Sequence, residues 1–123
     1  MATSKVRNNV SIVESGTDGI WEYRKWSDGT AECWGISGLG NIAITNSYGY
    51  GYYSAEINQN FPTDLFVSTP CIFATSEDMA GYGTWFNVTT NGTSKTKVRG
   101  LMYATASVTT AVNLALHAIG KWE

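Results

Sequence analysis

The residues best suited to binding a ligand lie in two glycine-rich stretches. Residues 46–53 read NSYGYGYY, and residues 76–84 read SEDMAGYGT and end just before a tryptophan. Tyrosine rings offer contact area and a hydroxyl group at little cost in conformational entropy, and glycines let a loop adapt to its ligand. Carboxylates beside aromatic rings suit hydrogen bonding to sugar hydroxyls. The candidate glycan-binding residues are Tyr48, Tyr50, Tyr52, Asp78, Tyr82 and Trp85. Packing against a neighbouring subunit or against the sheet is the alternative.

Residues that could carry out catalysis or hold a metal are scarce. The only histidine, His117, lies among alanine and leucine, and no serine has the context of a nucleophile elbow. Glu77 and Asp78 are adjacent, so in a strand they would point to opposite faces, which does not suit the acid pair of a glycosidase. One such pair also falls short of the roughly six to eight oxygens that bind Ca²⁺. We expect no enzyme activity, no metal and no cofactor.

Residues 21–35, WEYRKWSDGTAECWG, predict a β-hairpin rich in tryptophan and charge. The central SDG fits a three-residue loop with Gly29 in the left-handed conformation. This loop pairs Arg24 with Glu32. A two-residue loop would slip the register and pair Lys25 with Glu32 instead. The first register is preferred because it leaves one face of the hairpin nearly free of charge.

The preferred register gives the hairpin two faces. One face consists of Trp21, Tyr23, Ala31, Cys33 and Gly35. Large aromatic rings on one strand lie opposite small residues on the other, an arrangement that packs well in a core. The other face consists of Glu22, Arg24, Trp26, Glu32 and Trp34. Trp, Tyr and Arg are enriched at subunit interfaces. Interface or structural roles are therefore predicted for Trp21, Tyr23, Arg24, Trp26, Glu32, Trp34 and Trp122. A sugar stacked on an indole ring is the alternative for the second face.

The composition is that of strands and turns. Thr, Gly, Tyr, Trp, Val and Asn are plentiful, while Glu, Lys and Leu are scarce. Glycine-rich turn signals at 16–19, 27–29, 38–40, 81–83 and 91–92 separate the predicted strands. Those strands are Val10–Glu14, Ile20–Trp26, Thr30–Ile36, Tyr52–Ile57, Cys71–Ser76, Trp85–Thr89, Lys97–Tyr103 and Val108–Lys121. We predict an all-β fold, an antiparallel β-sandwich of about six to eight short strands.

The last predicted strand has the clearest pattern. Between Val108 and Trp122, apolar residues alternate with polar or small ones, which is period two. A helix through 111–118 is the alternative because alanine and leucine favour helices. A straight strand of this length would reach roughly 50 Å, whereas a domain of this size has a radius of gyration of about 14 Å. The segment must therefore bend, break or reach a neighbouring subunit.

Length and composition bound the class of protein. A chain of 123 residues fits one domain; residues 1–15 are predicted to be a linker or the end of a stalk, and residues 16–123 the folded head. The net charge of −2 gives no reason to expect nucleic acid or an acidic membrane as partner. No apolar run approaches a membrane span and no signal peptide begins the chain, so we expect a protein made in the cytoplasm.

Charged residues make up only 15% of the chain and hydrophobic ones 43%. A surface this poor in charge is either covered by other subunits or built of Thr, Ser and Asn. Two cysteines do not make a disulfide framework. Because free cysteines are usually buried, Cys33 and Cys71 are both predicted to be buried thiols.

Three motifs resemble those of C-terminal domains in bacteriophage and prophage tail fibres. Residues 21–35 resemble the hairpin pattern W-x-Y-R-K-W-x-x-G-x-x-E-x-W-G of that family. Residues 61–70, FPTDLFVSTP, resemble F-P-x-x-F-x-x-x-P, and residues 118–122, AIGKW, are similar to the closing A-I-G-R-W. The motifs occur in the order of the family. The stretch 38–53 has no counterpart in that pattern.

The resemblance implies a β-sandwich that assembles as a homotrimer at the distal tip of a tail fibre in the virion. It implies recognition of a bacterial surface receptor, and a glycan suits the aromatic loops. The layout is also similar, more remotely, to the H-type lectins. A purely structural trimerisation cap and a small glycan-degrading module are the alternatives.

Overall fold

The computed structural model describes residues 10–123, which form one curled antiparallel sheet of nine strands and, within that range, no helix. The strands are β1 Ile12–Asp18, β2 Trp21–Trp26, β3 Thr30–Tyr48, β4 Gly51–Ser54, β5 Ile57–Asn60, β6 Cys71–Asp78, β7 Trp85–Val88, β8 Lys97–Ala104 and β9 Val108–Lys121. The predicted all-β antiparallel class is confirmed.

The tryptophan-rich hairpin has the predicted register. Arg24 lies opposite Glu32, and Gly29 has a φ of 89°, the left-handed conformation that the three-residue loop requires. The Asp28 carboxylate accepts a hydrogen bond of 2.9 Å from the Thr30 amide and closes the turn. Lys25, which the alternative register would have paired with Glu32, forms an ion pair of 3.3 Å with Glu14 of β1. The slipped register is therefore wrong.

Strand β3 joins the two halves of the sheet. The turn predicted at 38–40 is wrong: the strand continues to Tyr48, and the glycines form a bulge at which its pairing with β9 shifts register. Gly40 has a φ of 68°, so glycine suits the bulge. Because bulges bend strands, β3 leaves the first half, β1-β2-β3-β9-β6, and enters the second, where it pairs with β4.

Strand β9 follows β3 along this path. The ladder runs from Thr30 opposite Lys121 to Ile44 opposite Val108. The predicted terminal strand is confirmed and the alternative helix is wrong. Along β9, residues that point into the core alternate with residues that point outward, as a period of two requires. The long strand fits a small domain because the sheet to which it belongs is curled.

Both halves of the sheet contribute to one core. The buried residues from the first half and β9 include Trp21, Ala31, Cys33, Val112, Leu114, Leu116 and Ala118. Those from the second half include Ile44, Ile57, Val98, Met102 and Ala104. Burial of this apolar surface, at roughly 25 cal/mol per Å², holds the halves together.

The motif at 61–70 closes one end of the core. Phe61 packs 5.8 Å from Trp21, ring centre to ring centre, and 5.3 Å from Phe66. A Cβ built on Gly120 would lie 3.0 Å from Phe66 and 3.1 Å from Pro70. Two of the motifs that resemble tail fibres are therefore packed against each other.

Three details differ from the predictions. The predicted strand Tyr52–Ile57 is two strands, β4 and β5. Cys33 is buried, but Cys71 is exposed because it lies on the outward parity of β6. The predicted boundary at residue 15 falls inside β1, and the rest of that prediction, residues 1–9, lies outside the described residues.

Gly35 tests the hairpin's packing. A Cβ at this position would overlap the backbone carbonyl of Ile20, so we expect Gly35→Ala to lower the free energy of unfolding by about 1–3 kcal/mol. Gly38→Ala is the matched control in the same strand, since its nearest neighbour is 3.6 Å away; its effect should stay within about 0.5 kcal/mol. Urea unfolding measures both, and equal effects would contradict the packing described here.

Candidate functional site

Four aromatic side chains from separate strands meet on the outer face of the second half of the sheet. The register of β7, β8 and β4 sets Tyr103 opposite Trp85 on one side and opposite Tyr53 on the other. Tyr48, at the end of β3, completes the group beside the β3–β4 turn. We call these four residues, Tyr48, Tyr53, Trp85 and Tyr103, the aromatic cluster.

Tyr103 is the centre of the aromatic cluster. Its ring centre lies 5.7 Å from Trp85, with the two planes within 12° of parallel, and 5.4 Å from Tyr48 in an edge-on arrangement. Tyr53 lies 6.4 Å from Tyr103 and 6.0 Å from Tyr48. These are the distances and tilts that aromatic pairs prefer. The rings hold one another in place, yet Trp85 remains 42% and Tyr48 48% exposed.

Tyr50 and Tyr52, the other tyrosines predicted to bind a glycan in the stretch 46–53, are not part of the aromatic cluster. Tyr50 is at the tip of the β3–β4 turn and is fully exposed. Tyr52 points the opposite way from Tyr53, opposite the buried Ala104, and packs against the core. The structure thus places Tyr50 next to the aromatic cluster along the chain and Tyr52 on the inner face.

Asp78 organises the loop 79–84 that leads to Trp85. Its carboxylate accepts hydrogen bonds from the amides of Ala80, at 3.0 Å, and Tyr82 and from the hydroxyl of Thr110, at 2.9 Å. Burial disfavours the charged form, but these hydrogen bonds outweigh it and lower the pKa of the carboxyl group. Asp78 therefore positions the loop, and exposed Tyr82 projects from it.

A polar network lies on the same outer face, toward the start of β8. Arg99 Nε donates to Glu56 at 2.9 Å, and one of its terminal nitrogens donates to the Thr89 hydroxyl at 2.8 Å. Asn58 donates to the other Glu56 oxygen at 3.2 Å. The ion pair and its hydrogen bonds lower the pKa of Glu56. We call Glu56, Asn58, Thr89 and Arg99 the polar network.

Sequence reasoning identified only part of this surface. It predicted Tyr48 and Trp85, which the fold brings together, but omitted Tyr53 and Tyr103 from the candidate site. Tyr103 lies 55 residues after Tyr48 in the chain, so no short stretch of sequence contains both. The signal for Tyr103 was its outward parity in the predicted strand 97–103, which points to a face of the sheet without saying which rings lie beside it.

The first half of the sheet presents a different outer face. The Arg24 guanidinium lies 5.1 Å from the Trp34 ring centre, within the range of a cation–π contact. Glu32 and His117 are 2.7 Å apart, oxygen to nitrogen, and His117 lies edge-on to Trp34. Across β9, Phe73 is 6.4 Å from His117.

Exposed apolar side chains surround these polar groups. Phe73 is 58% exposed and Ile36 55%, and Ile119 and Ile12 are also exposed. Trp26 is half-buried beside them. We call this surface the mixed face; it consists of Ile12, Arg24, Trp26, Glu32, Trp34, Ile36, Phe73, His117 and Ile119.

The remaining predicted interface residues support the core. Trp21 is buried and donates its indole N–H to the Asn60 carbonyl at 2.7 Å. Tyr23 packs against the core and donates to Glu14 at 2.9 Å. Trp122 donates to the Trp26 carbonyl at 2.8 Å. The structure gives these three rings structural positions, away from the mixed face.

The described residues contain neither a cluster of metal-binding side chains nor a membrane-spanning helix. Across 10–123, no three His, Cys, Asp or Glu side chains come together as a metal site would require. The same range contains no helix with the length and apolar character of a membrane span.

Solved structures of pyocin tail fibres have the same fold. A structure of the P. aeruginosa R1 pyocin fibre, comprising its C-terminal residues, matches 92% of this chain with a TM-score of 0.63 at 12% identity; the chain spans 28% of that structure's length. An N-truncated R1-type pyocin tail fibre matches the same share with a TM-score of 0.62 at 13% identity, over 86% of its length. No protein-family model and no curated protein matches the sequence.

Asp78 makes the loop sensitive to acid. Since its pKa is lower in the folded state, its contribution to stability is full above the ordinary carboxyl pKa of about 4 and is lost as the pH falls through the folded-state value. We expect Asp78→Asn to be less stable than the wild type at pH 7, with the difference shrinking below about pH 4. Thermal unfolding across this range measures it. Glu77→Gln, at the exposed neighbouring position, is the control; an equal loss would contradict the assignment.

Proposed function

We propose that this chain is the tip domain of a phage-type tail fibre, assembles as a homotrimer and binds a glycan on the bacterial surface. The aromatic cluster is the observation that supports glycan binding most directly. Four rings gathered from separate strands form a surface on which Tyr48 and Trp85 are exposed, on a fold that pyocin tail fibres also have. A domain of this kind would be part of the virion.

The chemistry of the aromatic cluster suits sugars. Pyranose rings carry an apolar face and a rim of hydroxyls, so they need flat apolar surfaces beside hydrogen-bonding groups. Tyr48 and Trp85 offer exposed rings, and tyrosine hydroxyls are hydrogen-bonding groups carried by the same cluster. Binding at one such site is expected to be weak, and three copies on one fibre tip would gain strength through avidity.

The mixed face supports the homotrimer. It carries exposed apolar residues on adjacent strands, whereas monomers rarely leave large apolar patches uncovered. Arg24 and Glu32 give it charges of both signs, so copies of one surface can complement each other. The low share of charged residues in the chain agrees with a partly covered surface.

The two alternative functions, a structural trimerisation cap and a glycan-degrading module, explain fewer of the observed features. A purely structural trimerisation cap would leave the exposed aromatic cluster without a role. A glycan-degrading module would need two opposed carboxylic acids, whereas Asp78 is committed to the loop and Glu56 to Arg99. We therefore propose a lectin-like binding domain that is not an enzyme and uses no cofactor, metal or nucleic acid.

The mass in solution tests the assembly. We expect light scattering to give three times 13.4 kDa for the wild type. Phe73→Glu should reduce the mass to that of one chain, because it places a charge amid the apolar part of the mixed face. Its side chain is 58% exposed in the single chain, so the variant should stay folded. Val67→Ala, a change at another exposed apolar residue, is the control and should remain a trimer.

Tyr50 tests whether the β3–β4 turn contacts the receptor. Its side chain is fully exposed, so Tyr50→Ala should leave both the fold and the trimer intact while weakening attachment to bacterial cells that the wild type labels, by about tenfold per site. Cell-binding titrations and light scattering on the same samples separate the two effects. A Tyr50→Ala variant that becomes monomeric would assign this loop to assembly instead.

A further inference from the structure

Building on the proposed function, we propose that the glycan is electrically neutral and lies on the aromatic cluster with Tyr103 beneath its centre. The sequence points only to a sugar of unspecified charge. The placement of the charged side chains around the cluster narrows the ligand class.

The cations of the described chain lie away from the aromatic cluster in two groups. Arg24, Lys25 and Lys121 lie opposite residues 30–32, at the beginning of β3, whereas Tyr48 is its last residue. The second group, Lys95, Lys97 and Arg99, lies just before β8 and in its first three residues. Arg99 is four residues from Tyr103, or about 13 Å along a strand.

The cation in β8 closest to Tyr103 along the strand is also committed to other groups. Arg99 forms an ion pair of 2.9 Å with Glu56 and donates to Thr89 and to the Asn91 carbonyl, at 2.8 and 3.3 Å. The turn at Gly92 passes so close over the arginine side chain that no Cβ would fit there. Arg99 is held in place by the protein, and its charge is balanced before any ligand arrives.

The charged residues that precede Trp85 most closely along the chain are acidic. Asp78 precedes the loop that delivers Trp85, and its lowered pKa keeps it ionised at neutral pH. Glu77 beside it is exposed. Among residues 10–123, no unpaired cation lies near the cluster along its strands, so an acidic sugar bound there would lose part of its hydration without an opposite charge to offset the loss.

The rings themselves need no charge on the ligand. Trp85 and Tyr103 come from neighbouring strands and stack on each other within 12° of parallel, which leaves Trp85 42% exposed as an apolar contact surface. Tyr48 and Tyr53 continue the surface on the other side of Tyr103. A surface two strand spacings wide, each about 4.8 Å, exceeds a single ring and suits a chain of sugars over a monosaccharide.

The test is binding of the full chain to two matched sets of immobilised oligosaccharides. One set contains neutral chains of glucose, galactose, mannose, rhamnose and N-acetylhexosamines; the other contains acidic chains of uronic and sialic acids. We expect binding to neutral chains, changing less than twofold between 0.05 and 0.5 M NaCl, since screening acts on charge pairs and not on stacking. Trp85→Ala should weaken it about tenfold, Trp85→Phe less, and Val67→Ala not at all.

Each outcome decides the matter. Preferential binding to acidic chains that falls steeply with salt would overturn the neutral ligand while leaving the proposed function standing. Neutral binding that Trp85→Ala leaves unchanged would overturn the location of the site. Binding to neither set by a folded trimer would overturn the glycan part of the proposed function itself.

Discussion

The structure depends on one long antiparallel ladder between β3 and β9. It runs from Thr30 and Lys121 at one end to Ile44 and Val108 at the other, with a register shift at Gly38–Gly40. On the near side of the shift, β3 also pairs with β2; on the far side it pairs with β4. The two halves of the sheet therefore share the same two strands, and the bulge is where the shared pair turns from one half to the other.

This ladder separates two surfaces with different chemistry. Because both halves turn their apolar parity inward to one core, their outward parities face in different directions. The first half exposes the mixed face, with Phe73 and Ile36 around the Glu32–His117 pair. The second half exposes the aromatic cluster and the polar network. The surface proposed for assembly and the surface proposed for binding therefore share no residues.

Two side chains that the sequence predicted to bind a sugar or another subunit instead hold a loop or a chain end in place. Asp78 suited sugar hydroxyls as an exposed carboxylate, yet it satisfies backbone amides of its own loop. Trp122 suited an interface, yet its indole N–H satisfies the Trp26 carbonyl and joins the end of the chain to the hairpin. In both cases the polar group that suited an external partner is hydrogen-bonded to the backbone of its own chain.

The sequence alone determined what depends on near neighbours. The SDG loop set the register of β2 and β3, and period two identified β9 as a strand, because turn geometry and side-chain alternation are local properties. Only the tertiary structure decided that Tyr103 meets Tyr48, that Tyr52 points inward while Tyr53 points outward, and that 38–40 is a bulge and not a turn. Those facts follow from which strands pair across 50 or more residues and in which register, and that pairing is set by burial of the shared core, which no short stretch of sequence contains.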